Sequence, residues 1–212
     1  MNEKNFKKLY IAVCSLAVFA AWTVLLRLVD VKDIGPRGSC VGFATLNAFV
    51  HELTGVHMAL YDITDWLGLV PVAVAFSFAV LGLVQWIKRK HISKVDRSIL
   101  VLGGFYTVVI AAYMIFETVV INHRPVLING YLEASYPSST TLLVLCVMPT
   151  AAMQLSTRIR GAGFRRCTTV AILVFVAFMV IGRLISGVHW VTDIVGGILL
   201  SAGLVMLYDF FA

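Results

Sequence analysis

Three stretches of the chain hold the side chains able to do chemistry. One reads Ile121-Asn122-His123-Arg124-Pro125, and a second reads Ser135-Tyr136-Pro137-Ser138-Ser139-Thr140-Thr141. The third runs from Gly182-Arg183 through Gly187-Val188-His189-Trp190 to Asp193. Arginine stays charged and offers phosphate a planar fork of donors, so Arg124 and Arg183 suit phosphoryl oxygens. Pro137 suits the opening of a helix whose first free N–H groups, with the Ser138 and Ser139 hydroxyls, can face an anion. His189 and Asp193 stand four apart, the spacing that shares a helix face. A carboxylate so placed keeps one ring nitrogen protonated and leaves the other free to attack phosphorus. A Ser-His-Asp hydrolase uses similar side chains, but two arginines favour phosphate over an acyl group.

The elements that must position these groups follow from composition. Of 212 residues, 60% are hydrophobic and 13% charged, and the mean hydropathy is +0.93. A soluble domain carries about 25% charged residues. An ordinary soluble enzyme, a disordered protein and a disulfide-stapled secreted domain are thereby excluded, leaving a polytopic membrane protein. Charge-free runs at 9–26, 67–87, 98–116, 134–157, 167–182 and 194–208 predict an all-α bundle of six transmembrane helices, read as one domain over 1–212. None alternates as a barrel strand does. The first run follows Lys4, Lys7 and Lys8 as a signal peptide would, but it continues through Trp22 to Leu26 and reads as a retained helix.

Lysine and arginine set the orientation. With both termini cytoplasmic, twelve lie inside, and Arg27, Lys32, Arg37, Arg124 and Arg183 lie outside. The formal charge of +6 is then mostly topology and needs no nucleic-acid partner. All three chemical stretches fall on the outer side. The outer segment 30–66 repeats apolar residues at helical spacing, which predicts short amphipathic helices at the interface or a cap on the bundle. Cys14, Cys40, Cys146 and Cys167 show no metal or redox spacing and read as structural filler. His51, His57 and His91 read as ordinary loop residues. Arg183 and His189 at a membrane edge could simply anchor a helix, with Asp193 pairing either. Ionisable groups in a span are costly and usually functional, and the joint pattern outweighs that reading.

These residues resemble the type-2 phosphatidic acid phosphatase superfamily, membrane lipid phosphatases related to vanadium haloperoxidases. Its signatures are Lys, six residues, Arg-Pro; Pro-Ser-Gly-His; and Ser-Arg, five residues, His, three residues, Asp. Arg124-Pro125 matches the end of the first, Pro137-Ser138 half of the second, and Arg183, His189 and Asp193 the third at full spacing. The resemblance implies His189 as a nucleophile that becomes phosphohistidine and Asp193 as its orienter. It also implies Arg124, Arg183 and the start of the fourth span as phosphate binders, with no metal or cofactor.

The chain departs from the signatures at Glu117 for the lysine, Ser139 for the glycine, Thr140 for the general-acid histidine and Gly182 for the serine. Glu117, two helical turns from Arg124, is expected to pair with it. His123 and a protonated Glu117 are the candidates for a substitute acid. Expelling an unprotonated alkoxide is hard, because its conjugate acid has a pKa near that of water, about 16. Expelling a lipid phosphate from a diphosphate is easier, since its second pKa is about 6. The expected function is therefore a membrane lipid phosphatase on the outer face that prefers a polyprenyl diphosphate. The alternatives are a degenerate member that binds or translocates a lipid phosphate, and an anion channel or transporter.

Overall fold

The computed structural model describes residues 3–212. Met1 and Asn2, part of the expected domain, and the side chain of Lys4, part of the charge balance, lie outside the described residues. Eight α-helices follow in order: α1 (Glu3–Leu28), α2 (Ala44–Thr54), α3 (Met58–Leu67), α4 (Leu69–Arg89), α5 (Arg97–Thr118), α6 (Ser139–Arg158), α7 (Ala162–Ile185) and α8 (Val191–Phe211). Six segments are long and apolar enough to cross a membrane, α3 and α4 counting together over Met58–Arg89. The expected all-α, six-span architecture is what the chain forms. Among the described residues, β pairing is confined to isolated bridges.

Lipid tails are as apolar as leucine, so close packing and hydrogen bonds must hold such helices together. Glycines on α8 provide the approach. A Cβ on Gly203 would come within 2.7 Å of Leu16 on α1, and one on Gly196 within 2.3 Å of the Tyr136 ring. Lys8 meets Asp209 at 2.9 Å, while Trp22 donates to the Thr192 carbonyl at 3.3 Å, so α1 and α8 run antiparallel. Phe19, Leu102, Phe105, Leu142, Leu204 and Tyr208 fill the core between α1, α5, α6 and α8. This up-and-down order puts both chain ends and the 90–96 and 159–161 connections at one end of the bundle. The other end gathers 29–68, 119–138 and 186–190, and with them all three chemical stretches.

The helical periodicity of 30–66 appears as α2 and α3. Their apolar side chains point away from the protein: Phe49, Leu53 and Trp66 are 64%, 75% and 74% exposed, whereas Asn47 and Thr64 are buried. Asn47 bonds Thr192 at the start of α8, so these helices cap the bundle through polar residues and offer an apolar face to lipid. His51 lies within α2 rather than in a loop, with its ring 5.4 Å from that of Trp190. The fourth span begins at Ser139, not at 134. Residues 134–138 are not helical: Ser135 is paired to another segment, and the chain bends at Tyr136 and Pro137. Pro137 therefore precedes the helix, and Ser138 is its N-cap.

Candidate active site

Between α5 and α6 the chain doubles back. Asn129 and Gly130 both adopt positive φ, 49° and 82°, as the tight hairpin turn favoured by Asn-Gly requires. Ile128 and Tyr131 exchange both backbone hydrogen bonds across it, at 3.1 and 2.9 Å. Nearer the bundle, Arg124 N–H donates to the Glu133 carbonyl at 3.1 Å and Ser135 N–H to the Asn122 carbonyl at 3.0 Å. Side chains alternate along paired strands, so Asn122, Arg124, Glu133 and Ser135 share one face. That face meets the turn between α7 and α8.

The turn corrects the expectation that His189 and Asp193 share a helix face. His189 lies before α8, Trp190 is the N-cap, and Asp193 is the third helical residue. The Asp193 carboxylate folds back to accept the Trp190 N–H at 2.9 Å, half of a capping box. The four-residue spacing therefore works through the cap. His189 Nδ1 lies 3.8 Å from Asp193 Oδ2, and Ser135 sits between them. Its Oγ is 3.1 Å from Nδ1 and donates to Oδ2. Asn122 Nδ2 donates to the other carboxylate oxygen at 3.2 Å. Gly187 lets this turn reach the α2–α3 connection: its φ is +68°, and a Cβ would lie 1.9 Å from the Gly55 carbonyl oxygen. The Ser186 carbonyl accepts the His57 N–H there at 3.0 Å.

Hydrogen bonding assigns the tautomer. The Ser135 proton is committed to Asp193, so Oγ accepts from Nδ1–H and leaves a lone pair on Nε2. Burial, with Arg124 and Arg183 and against the opposing pull of Asp193, lowers the His189 pKa to about 4. The ring is thus neutral near pH 7, with Nε2 3.4 Å from Arg124 Nη1. Both face a polar cavity of about 210 Å³, which Ser139, Glu117, Glu133 and Tyr113 also line. An apolar cavity of about 350 Å³ adjoins it through Tyr113, Ser139 and Leu142, and reaches Leu69 and Val109.

The other expected site residues divide. Arg124, His189 and Ser139 line one cavity, and Asp193 lies behind His189. Arg124 pairs with Glu133 at 3.1 Å rather than with Glu117. The helix carrying Glu117 ends at Thr118, so the helical spacing lapses, and strand pairing brings in Glu133 instead. Arg183 is buried outside the cavity lining, 4.8 Å from the Tyr61 ring centroid and 3.6 Å from Asp65, with its Nε unpartnered. Arg124 approaches the same ring at 5.8 Å. Ser138 is fully buried with an unpartnered hydroxyl, also off the cavity lining. His123 pairs with Ala134, and its carbonyl accepts the Trp190 indole N–H at 2.8 Å; its ring does not line the cavity. Ser135, Asn122 and Glu133 were not singled out from sequence. Asn129-Gly130 between apolar residues was the signal for the hairpin that aligns them.

The bundle thus holds a buried, carboxylate-oriented histidine beside an arginine, and comparison with known proteins shows what the chain is similar to. Residues 121–209 match the model of the PAP2 superfamily. Its fold is similar to that of a transmembrane PAP2 type phosphatidylglycerolphosphate phosphatase from Bacillus subtilis. The TM-score is 0.61 over 94% of each chain, at 17% identity. Comparison with curated proteins gave no match.

Proposed function

We propose that the protein is a membrane lipid phosphatase that prefers a polyprenyl diphosphate to a lipid monophosphate and works through a phosphohistidine on His189. The carrying observation is the His189–Ser135–Asp193 array, which leaves Nε2 unprotonated and directed at the cavity that Arg124 lines. Nε2 attacks the terminal phosphorus. The N–P bond forms as the P–O bond to the leaving group breaks, with the electron pair departing on the lipid phosphate oxygen. Arg124 holds the phosphoryl oxygens as charge shifts. Ser135 and Asp193 steady Nδ1–H while the ring is cationic. Water then attacks phosphorus, breaks the N–P bond and releases phosphate.

Thr140, in the position of the family's acid, offers no proton at neutral pH, which favours the better leaving group. The adjoining apolar cavity suits the lipid chain. The site end carries five of the seventeen Lys and Arg residues, which supports an outward-facing site and cytoplasmic termini. Glu117 lines the cavity and is the nearer of the two substitute acids; a Glu117→Gln change that leaves the rate untouched removes it from that role. The second reading, lipid phosphate binding without turnover, draws on the two carboxylates beside Arg124, which offset the charge it would bring to a transition state.

The test is phosphate release by purified protein from a polyprenyl diphosphate, the matching monophosphate and phosphatidylglycerol phosphate, beside His189→Ala. Fastest release from the diphosphate, abolished in the variant, supports the proposal. Monophosphate cleavage at an equal or greater rate overturns the preference. Retained binding without release moves the function to the second reading.

A further inference from the structure

At the end of the bundle away from His189, α4 and α5 part around an apolar cavity of about 380 Å³. Small residues create it. Ala75, Ala79 and Gly82 follow at helical spacing on α4, and a Cβ on Gly103 or Gly104 of α5 would meet nothing within 4 Å. Gly82 closes the floor, where a Cβ would lie 3.0 Å from Ile99 Cγ2. Trp86, Ile92 and Val95 line the part nearest the α4–α5 connection.

That connection is fixed by a single carboxylate. Asp96 pairs with Arg89 at 2.9 Å and exchanges two hydrogen bonds with Gln85, at 2.8 and 2.9 Å. Arg158 reaches it from α6 at 3.9 Å. No other acid occurs between residues 88 and 97. Lys88, Lys90, Lys94 and Arg97 are exposed and have no acidic partner among the described residues. An open hydrocarbon groove thus runs beneath four uncompensated cations.

We infer that this cavity binds an anionic phospholipid, with one acyl chain between α4 and α5 and its phosphodiester on Lys88, Lys90, Lys94 and Arg97. The groove alone would accept any lipid chain; the cations select the sign of the headgroup, as basic pockets between membrane helices do. The site lies at the opposite end from His189 and does not depend on turnover.

The test is native mass spectrometry of delipidated full-length protein titrated with phosphatidylglycerol or phosphatidylcholine of identical chains. Phosphatidylglycerol is expected to bind at about tenfold lower concentration or less, as four surface cations warrant. Replacing Lys88, Lys90, Lys94 and Arg97 together with Gln removes that preference and leaves phosphatidylcholine binding unchanged. Gly103→Leu with Gly104→Leu weakens both lipids. Should the leucine variant not fold, phosphatidylglycerol with brominated chains is expected to quench the native protein's fluorescence more than that of Trp86→Phe, whose remaining quenching comes from the lipid-facing Trp66. Equal binding of the two lipids, a preference that survives the four Gln substitutions, unaltered binding by a folded leucine variant, or quenching undiminished in Trp86→Phe overturns the inference.

Discussion

Ser135 carries one hydroxyl for two partners, His189 Nδ1 and Asp193 Oδ2. Ser135→Ala leaves a buried N–H without its acceptor and a buried carboxylate short of a donor, each costing about 1–3 kcal/mol. If that loss falls on the transition state, kcat drops about 10- to 100-fold with little change in KM, and Ser135→Thr restores much of it. Steady-state kinetics on the three proteins decide this. The proposed nucleophile must be neutral, and burial is the largest cause of a His189 pKa of about 4. Activity should hold down to about pH 5 and fall only as pH passes through 4, whereas an exposed histidine would lose it near 6.5. The leaving-group argument makes its own prediction: Thr140→His supplies a proton donor and raises lipid monophosphate cleavage more than diphosphate cleavage, read as the ratio of kcat/KM values. Arg124, His189 and Asp193 were legible because their side-chain types imply charge and nucleophilicity wherever they stand. Ser135 and Glu133 were not, since a serine and a glutamate gain a role only once strand pairing sets them opposite Asn122 and Arg124.

The elements around the site were legible to different depths. Long charge-free runs reveal crossings, so α1, α4, α5, α7 and α8 were readable. The absence of charge cannot separate a helix from the non-helical segment leading into it, so the charge-free run opens at 134 although α6 begins at Ser139. Spacing alone likewise put His189 and Asp193 on one helix, although Trp190 caps α8 between them. The α7–α8 turn depends on Gly187, whose φ of +68° and contact with the Gly55 carbonyl leave no room for a side chain. Gly187→Ala should lower the melting temperature and reduce activity further than the lost folded fraction explains, because the displaced turn carries His189. Circular dichroism melts beside activity per folded molecule check it. Gly130→Ala at the exposed hairpin tip meets no neighbour and costs only the positive-φ strain, about 1 kcal/mol.

At the scale of the molecule, the bundle has a basic end and an end that carries His189. The balance of Lys and Arg predicts that a cysteine introduced beside Tyr131 is labelled from outside the cell, while one beside Ala212 is not. Burial also lowers the pKa values of both His189 and His51. As pH falls from 6.5 toward 4, the unfolded chain gains protons that folded His189 refuses, so stability declines through that window. Melting temperatures in detergent should drop between pH 7 and pH 4.5, less steeply in His189→Gln. The central claim is the covalent bond to His189. The direct measurement is a rapid alkaline quench during turnover of a diphosphate labelled at its terminal phosphorus, followed by mapping of the labelled peptide. The account predicts label on His189 that appears within one turnover, chases into free phosphate and is absent in His189→Ala. Turnover without labelled protein, or label that persists in the variant, contradicts it.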